Sequence, residues 1–175
     1  MFVATPLGML AGFAFSSLLV IAAIGDVRTR RIPNRLVALI AVLGICWSIA
    51  AMPLLPGASR SLEGLGIGLA CWFPLYLFGW LGAGDVKLFA AAGAWLGPLG
   101  ALQGSLIAAL LGAVLALIWM LRSSGFKSVF QTLGIATALP SVLTTPADPQ
   151  KSARTLPYGV PISAGAICAA LLQFH

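Results

Sequence analysis

Two aspartates carry the chemistry this sequence can do. Asp26 directly follows a long apolar run, and Asp85 directly precedes another. A carboxylate at a membrane boundary is costly unless it has a partner or a task. Two carboxylates at one level on different helices could face each other. Close carboxylates do not both ionise easily, so such a pair shares a proton. One member then takes a proton from water while the other, protonated, polarises a carbonyl, which is the chemistry of an aspartic protease. The bland alternative is an ion pair of Asp26 with Arg28, Arg30 or Arg31 and a helix-capping role for Asp85. Spacing alone leaves both open.

The elements that must position these residues follow from composition. The 175 residues are 60% hydrophobic and 8% charged, with a mean hydropathy of +1.04. Soluble domains carry roughly 25% charged residues, so this composition excludes a soluble globular protein, a disordered tail and a nucleic-acid-binding domain. The fold class it predicts is all-α, a polytopic integral membrane protein forming a single membrane-embedded domain over 1–175. A crossing helix needs about 20 apolar residues. Apolar runs predict about six transmembrane helices, over 6–25, 36–55, 65–81, 86–99, 101–121 and 158–174. The first lacks a preceding Lys or Arg and reads as a retained span rather than a signal peptide. The 126–143 segment has helix-like spacing of Phe126, Val129, Phe130 and Leu133 and predicts a helix that lies at the membrane interface or dips into the bilayer. Residues 144–155 read as a solvated loop. Gly64, Gly66 and Gly68 predict close helix packing.

Lys and Arg total 10 against four Asp and Glu. With six spans, nine of those basic residues fall on one side and Arg60 alone on the other. The positive-inside rule makes the first, third and fifth loops cytoplasmic. Both termini then face outward, and Asp26 and Asp85 lie at the cytoplasmic surface. Glu63, beside Arg60 in an outer loop, and Asp148, in the 144–155 loop, read as solvated charges. Cys46, Cys71 and Cys168 are isolated in apolar stretches and read as small buried hydrophobes. His175 stands alone. No ligand cluster suggests a metal or an organic cofactor, and no Ser–His or Cys–His pairing suggests a covalent mechanism.

The surroundings of the aspartates are distinctive. Gly82-Ala83-Gly84-Asp85-Val86-Lys87 places glycines three and one residues before Asp85, allowing a sharp turn and close approach of an extended substrate. Asp26-Val27-Arg28-Thr29-Arg30-Arg31-Ile32-Pro33-Asn34 joins the other Asp to basic residues and Ile-Pro-Asn. At these two motifs the chain resembles the type IV prepilin leader peptidases, membrane aspartic proteases with a Gly-x-Gly-Asp motif. A weaker likeness is Leu156-Pro-Tyr-Gly-Val-Pro-Ile162, with Pro161 a departure from the family's usual small or apolar residue. The resemblance extends over nearly the whole chain in order and spacing.

The resemblance implies that Asp26 and Asp85 form the catalytic pair, with Gly82, Gly84, Lys87, Ile32, Pro33 and Asn34 in support. Lys87 is expected to orient Asp85, to contact substrate or to signal topology. Ile32 and Pro33 are expected to position the chain, and Asn34 to cap the second helix with its side chain. The implied substrate is a prepilin or pseudopilin, with a short basic leader ending in Gly followed by a hydrophobic helix. It would be cleaved at the cytoplasmic face of the bacterial inner membrane. Larger members carry an N-terminal methyltransferase part with a zinc-binding cysteine loop. This chain has no paired cysteines and looks like the short peptidase-only type, similar to those of tight-adherence (Flp) pilus systems. Implied partners are the substrate, the lipid bilayer and other pilus-assembly components, with no nucleic acid. The competing readings are a proton- or ion-coupled small membrane transporter and a non-enzymatic assembly subunit of a pilus or secretion system.

Overall fold

A computed structural model describes residues 6–29, 32–79, 81–123 and 159–173. The expected interfacial helix over 126–143 and the loop over 144–155 lie outside them, as do Arg30 and Arg31. Every element among the described residues is helical: α1 (Pro6–Thr29), α2 (Asn34–Ala51), α3 (Leu54–Leu77), α4 (Ala83–Ser123) and α5 (Gly159–Leu172). α4 is the central element. It packs most extensively on α3 and α5 and also on α2, while α1 lies against α5 and touches α2.

Polarity is distributed as a lipid environment demands. Leu7, Phe13, Leu55, Leu99, Leu106 and Leu110 are all more than 60% exposed, so apolar side chains cover the outside of the bundle. Among the described residues, three helices are long and apolar enough to cross a membrane: α1, α2 and the 83–115 part of α4. The expected runs at 86–99 and 101–121 form one element, and the run at 158–174 forms a 14-residue apolar helix, shorter than the roughly 20 residues of a full crossing. By length and composition, then, three of the described helices qualify.

α3 departs most from expectation. It begins at Leu54, eleven residues before the expected span, so Arg60 and Glu63 lie on a helix rather than in a loop. The reason is α4. Gly97 takes φ 71°, ψ −178°, and Pro98 follows it, kinking α4 there. Proline has no N–H to return to the carbonyl four residues back, which is that of Ala94. The Ser61 Oγ donates to the Ala94 carbonyl instead, at 2.9 Å. The Leu96 carbonyl accepts from Arg60 Nη2 at 2.9 Å and from Gln173 Nε2 at 3.0 Å. A backbone carbonyl left unpaired in hydrocarbon costs several kcal/mol, so the kink needs these donors and a helical α3 delivers two of them.

Glycines set the α3–α4 distance. A Cβ at Gly64 would fall on the Gly93 carbonyl, and one at Gly93 on that of Gly64. At Gly68 it would come within 3.0 Å of the Phe89 carbonyl. Gly66 has nothing within 4 Å and takes no part. The first segment of α4 is buried almost all round, with Leu88, Phe89, Ala92, Ala94 and Leu96 fully enclosed. Trp95 lies on Gly44 of α2, donates to the Ile40 carbonyl at 2.8 Å, and stacks against Phe15 of α1 at 5.2 Å between centroids. Trp72 donates to Ser105 Oγ at 3.2 Å and packs on Phe89. These two tryptophans are core residues with satisfied N–H groups, not interface anchors.

This packing separates two otherwise similar substitutions. Gly93→Leu must push α3 away and is expected to destabilise the protein by about 1–3 kcal/mol or more. Gly66→Leu, on the open face, should be neutral or gain up to about 1 kcal/mol from helix propensity. Thermal unfolding in detergent measures both, and equal losses at the two positions would contradict the packing described.

Candidate active site

Asp26 and Asp85 both stand near helix ends. Asp26 stands three residues before the end of α1, and Asp85 is the third residue of α4. Both are buried, at 7% and 9% exposure, and the Asp26 charge reaches Asp85. Among the described residues they are the only buried acidic side chains.

Each carboxyl group is served by a helix start. A helix leaves its first N–H groups unsatisfied, and its N-terminus carries partial positive charge. Asp85 occupies the first turn of α4, where a carboxylate is favoured. The Gly82 carbonyl receives the Asp85 N–H at 3.1 Å and the Val86 N–H at 3.4 Å, closing that turn, and Gly82 lies beside the Asp85 carboxyl group. Asp26 is near the C-terminal end of its own helix, where the macrodipole opposes a negative charge. Its compensation comes from α5. The Gly159 N–H, the first of that helix, donates to Asp26 Oδ2 at 2.9 Å. A second tie runs alongside, from Ser163 Oγ to the Leu19 carbonyl at 3.1 Å.

Within the Gly-x-Gly-Asp motif, the Gly82 carbonyl closes the turn that leads into α4. Neither Gly82 nor Gly84 has a positive φ; among the described residues those values belong to Gly79, which ends α3, and Gly97. At both positions a Cβ would meet only ordinary contacts. A Cβ at Gly82 would stand 3.4 Å from Asp85 Oδ2, and one at Gly84 would stand 3.5 Å from the Ile32 Cβ. Ile32 thus lies against the motif, linking the first Asp segment to the second. Pro33 occupies the N-cap position of α2 at φ −62°, and its carbonyl accepts from the Leu36 and Val37 N–H groups at 3.0 and 3.3 Å.

Two supporting residues stand apart from the carboxylates. Asn34 was expected to cap α2 with its side chain, but it is the first helical residue and the helix has no side-chain cap bond. Pro33 already holds the cap position, so the Asn34 side chain starts one residue too late. Lys87 is exposed; two residues beyond the buried Asp85, it falls on the opposite side of the helix. Arg28 and Arg35 are likewise exposed. Among the described residues no three His, Cys, Asp or Glu gather as a metal-binding group.

Sequence reasoning does not select Gly159 as a site residue. Its function here belongs to its main chain, and the one signal is its place within the Leu156–Ile162 stretch. A side chain at 159 would collide with the site: a Cβ there would lie 2.7 Å from Asp26 Oδ2 and 2.8 Å from its Cβ. Pro161 sits in the first turn of α5, where its missing N–H costs nothing.

Comparison with known proteins points the same way. Over 104 residues the chain is 38% identical to a Prepilin leader peptidase/N-methyltransferase of Xanthomonas campestris pv. campestris, covering 54% of this chain and 35% of that protein. It is 32% identical over 114 residues to a protein of the same name from Pectobacterium carotovorum subsp. carotovorum, covering 59% of this chain and 39% of the relative. The chain therefore spans well under half the length of these curated relatives. No solved structure matches it. The model of the type IV leader peptidase family matches residues 13–117, a stretch that contains both aspartates and makes up more than half of the sequence, and the chain belongs to that family.

Proposed function

We propose that this chain is a membrane aspartic endopeptidase that removes the short basic leader from prepilins or pseudopilins. The observation that carries the reading is the buried Asp26–Asp85 pair, two carboxyl groups from separate helix ends enclosed by an otherwise apolar bundle. Family membership supplies the substrate class, and the relatives' names agree with it. In the proposed reaction the ionised member of the pair takes a proton from a water, whose oxygen attacks the scissile carbonyl. The protonated member donates a hydrogen bond to that carbonyl oxygen. The tetrahedral adduct then expels the amine, which leaves with a proton from the pair, so both protons are accounted for.

The chain is proposed to act in the bacterial inner membrane as a multi-pass protein with the carboxylate pair at the cytoplasmic face. Exposed Arg28, Arg35 and Lys87 cluster near the same helix ends as the aspartates, which supports this orientation. The same placement favours peptidase over ion relay, since a relay carries charge at mid-span and these groups sit at helix ends. The exposed arginines suit anionic lipid headgroups better than a basic leader.

Coexpression with a prepilin, followed by the mobility shift of the processed pilin, tests the reading. Asp26→Asn and Asp85→Asn should each abolish the shift, with activity down at least about 10³-fold; normal processing by either variant would overturn it. Activity of the purified protein should follow a bell-shaped pH profile whose two apparent pKa values belong to the pair, and a flat profile between pH 4 and 9 would contradict a shared proton. Orientation has its own check. In a cysteine-free background, Leu55→Cys should react with a membrane-impermeant maleimide from outside the cell, while Arg28→Cys should react only after the membrane is opened. The reverse pattern would invert the topology.

A further inference from the structure

We infer that the main-chain N–H of Gly159 is a positioning group for Asp26, and that position 159 must be glycine for the carboxylate to hold its working orientation. The inference rests on the peptidase reading for its catalytic consequence, but the contact itself stands independently. Three observations carry it. Gly159 N–H donates to Asp26 Oδ2 at 2.9 Å across 133 residues of sequence, between buried partners. That N–H opens α5, where no intrahelical acceptor exists for it, so the bond satisfies helix and carboxylate together. A Cβ at 159 would press on Asp26 Oδ2, Cβ and Cγ at 2.7, 2.8 and 3.0 Å, all closer than real Cβ atoms settle without movement.

The consequence for chemistry is geometric. With Oδ2 fixed by α5, Oδ1 is the oxygen of Asp26 left for proton transfer, and the carboxyl plane cannot swing without breaking the bond. α5 is therefore part of the active site through its backbone. Ser163, one turn on, holds the same helix to the Leu19 carbonyl and sets its height along α1. Asp26 in turn caps α5, so the α1–α5 packing and the catalytic geometry are one arrangement.

Gly159→Ala tests this against a packing control in the same helix. Gly165→Ala places a Cβ 2.6 Å from the Ala108 backbone nitrogen and Cβ, a clash remote from the carboxylates. For the purified, folded proteins acting on a prepilin, Gly159→Ala should lower kcat about 10- to 100-fold with KM within about twofold. Gly165→Ala should lower the melting temperature while keeping kcat per folded molecule. An unchanged kcat in Gly159→Ala, or an equal loss in Gly165→Ala, overturns the inference.

A second measurement needs no activity. Gly159→Ala should lower the melting temperature in the wild-type background and leave it unchanged in an Asp26→Gly background, where the colliding side chain is gone. Equal falls in both backgrounds overturn the contact. Should Asp26→Asn still process prepilin, the peptidase reading fails, while the melting comparison continues to judge the contact alone.

Discussion

A charge-bearing side chain inside a helical bundle survives only where donors reach it, and this bundle brings helix starts to its carboxylates. Asp85 sits in the first turn of α4, with the Gly82 backbone beside it. Asp26 lies at the unfavourable end of α1 and takes its donor from the opening N–H of α5. Chain elements far apart in sequence must meet for this to happen. α1 supplies the first carboxylate, α4 the second, α5 the capping donor, and Ile32 between α1 and α2 lies against Gly84 beside the second. The architecture is arranged so that two acidic groups can be buried together in apolar surroundings.

The rest of the packing serves α4. Its first segment is enclosed on nearly every side, which small residues make possible: Gly64 against Gly93, Gly68 against the Phe89 backbone, and Gly44 under the Trp95 indole. Without a large hydrophobic driving force between helices in lipid, such backbone contacts carry much of the association. The kink at Gly97–Pro98 interrupts the α4 hydrogen-bond ladder, and Ser61, Arg60 and Gln173 cover the Ala94 and Leu96 carbonyls. At one end of the bundle, α3 and α5 clamp the kink. At the other, α1 and α5 hold the Asp26 carboxylate. α5 joins both ends, which gives this 14-residue helix a larger part than its length suggests.

Much of the site was legible because charge is so scarce. With four acidic residues in 175, a carboxylate beside an apolar run stands out, and Asp26 and Asp85 are both buried. The all-helical class was equally plain from the apolar runs. What pattern could not show were backbone functions and charges enlisted by structure. Gly159 acts through its N–H, and a main-chain donor leaves no trace in residue type. Arg60 and Glu63 read as a loop because charges usually do, yet Arg60 is held on a helix by a carbonyl that a distant proline-bearing kink exposes. Asn34 looked like a cap by residue type, but Pro33 had taken the position.

The central claim is that Asp26 and Asp85 act as one catalytic unit. Single-turnover cleavage of a purified prepilin by the purified wild type, Asp26→Asn, Asp85→Asn and the double variant measures this directly. Residues that work only together lose together, so the account predicts the same residual rate for both single variants and the double variant, at least about 10³-fold below wild type. Losses that multiply in the double variant, or a single variant that retains substantial cleavage, would contradict it.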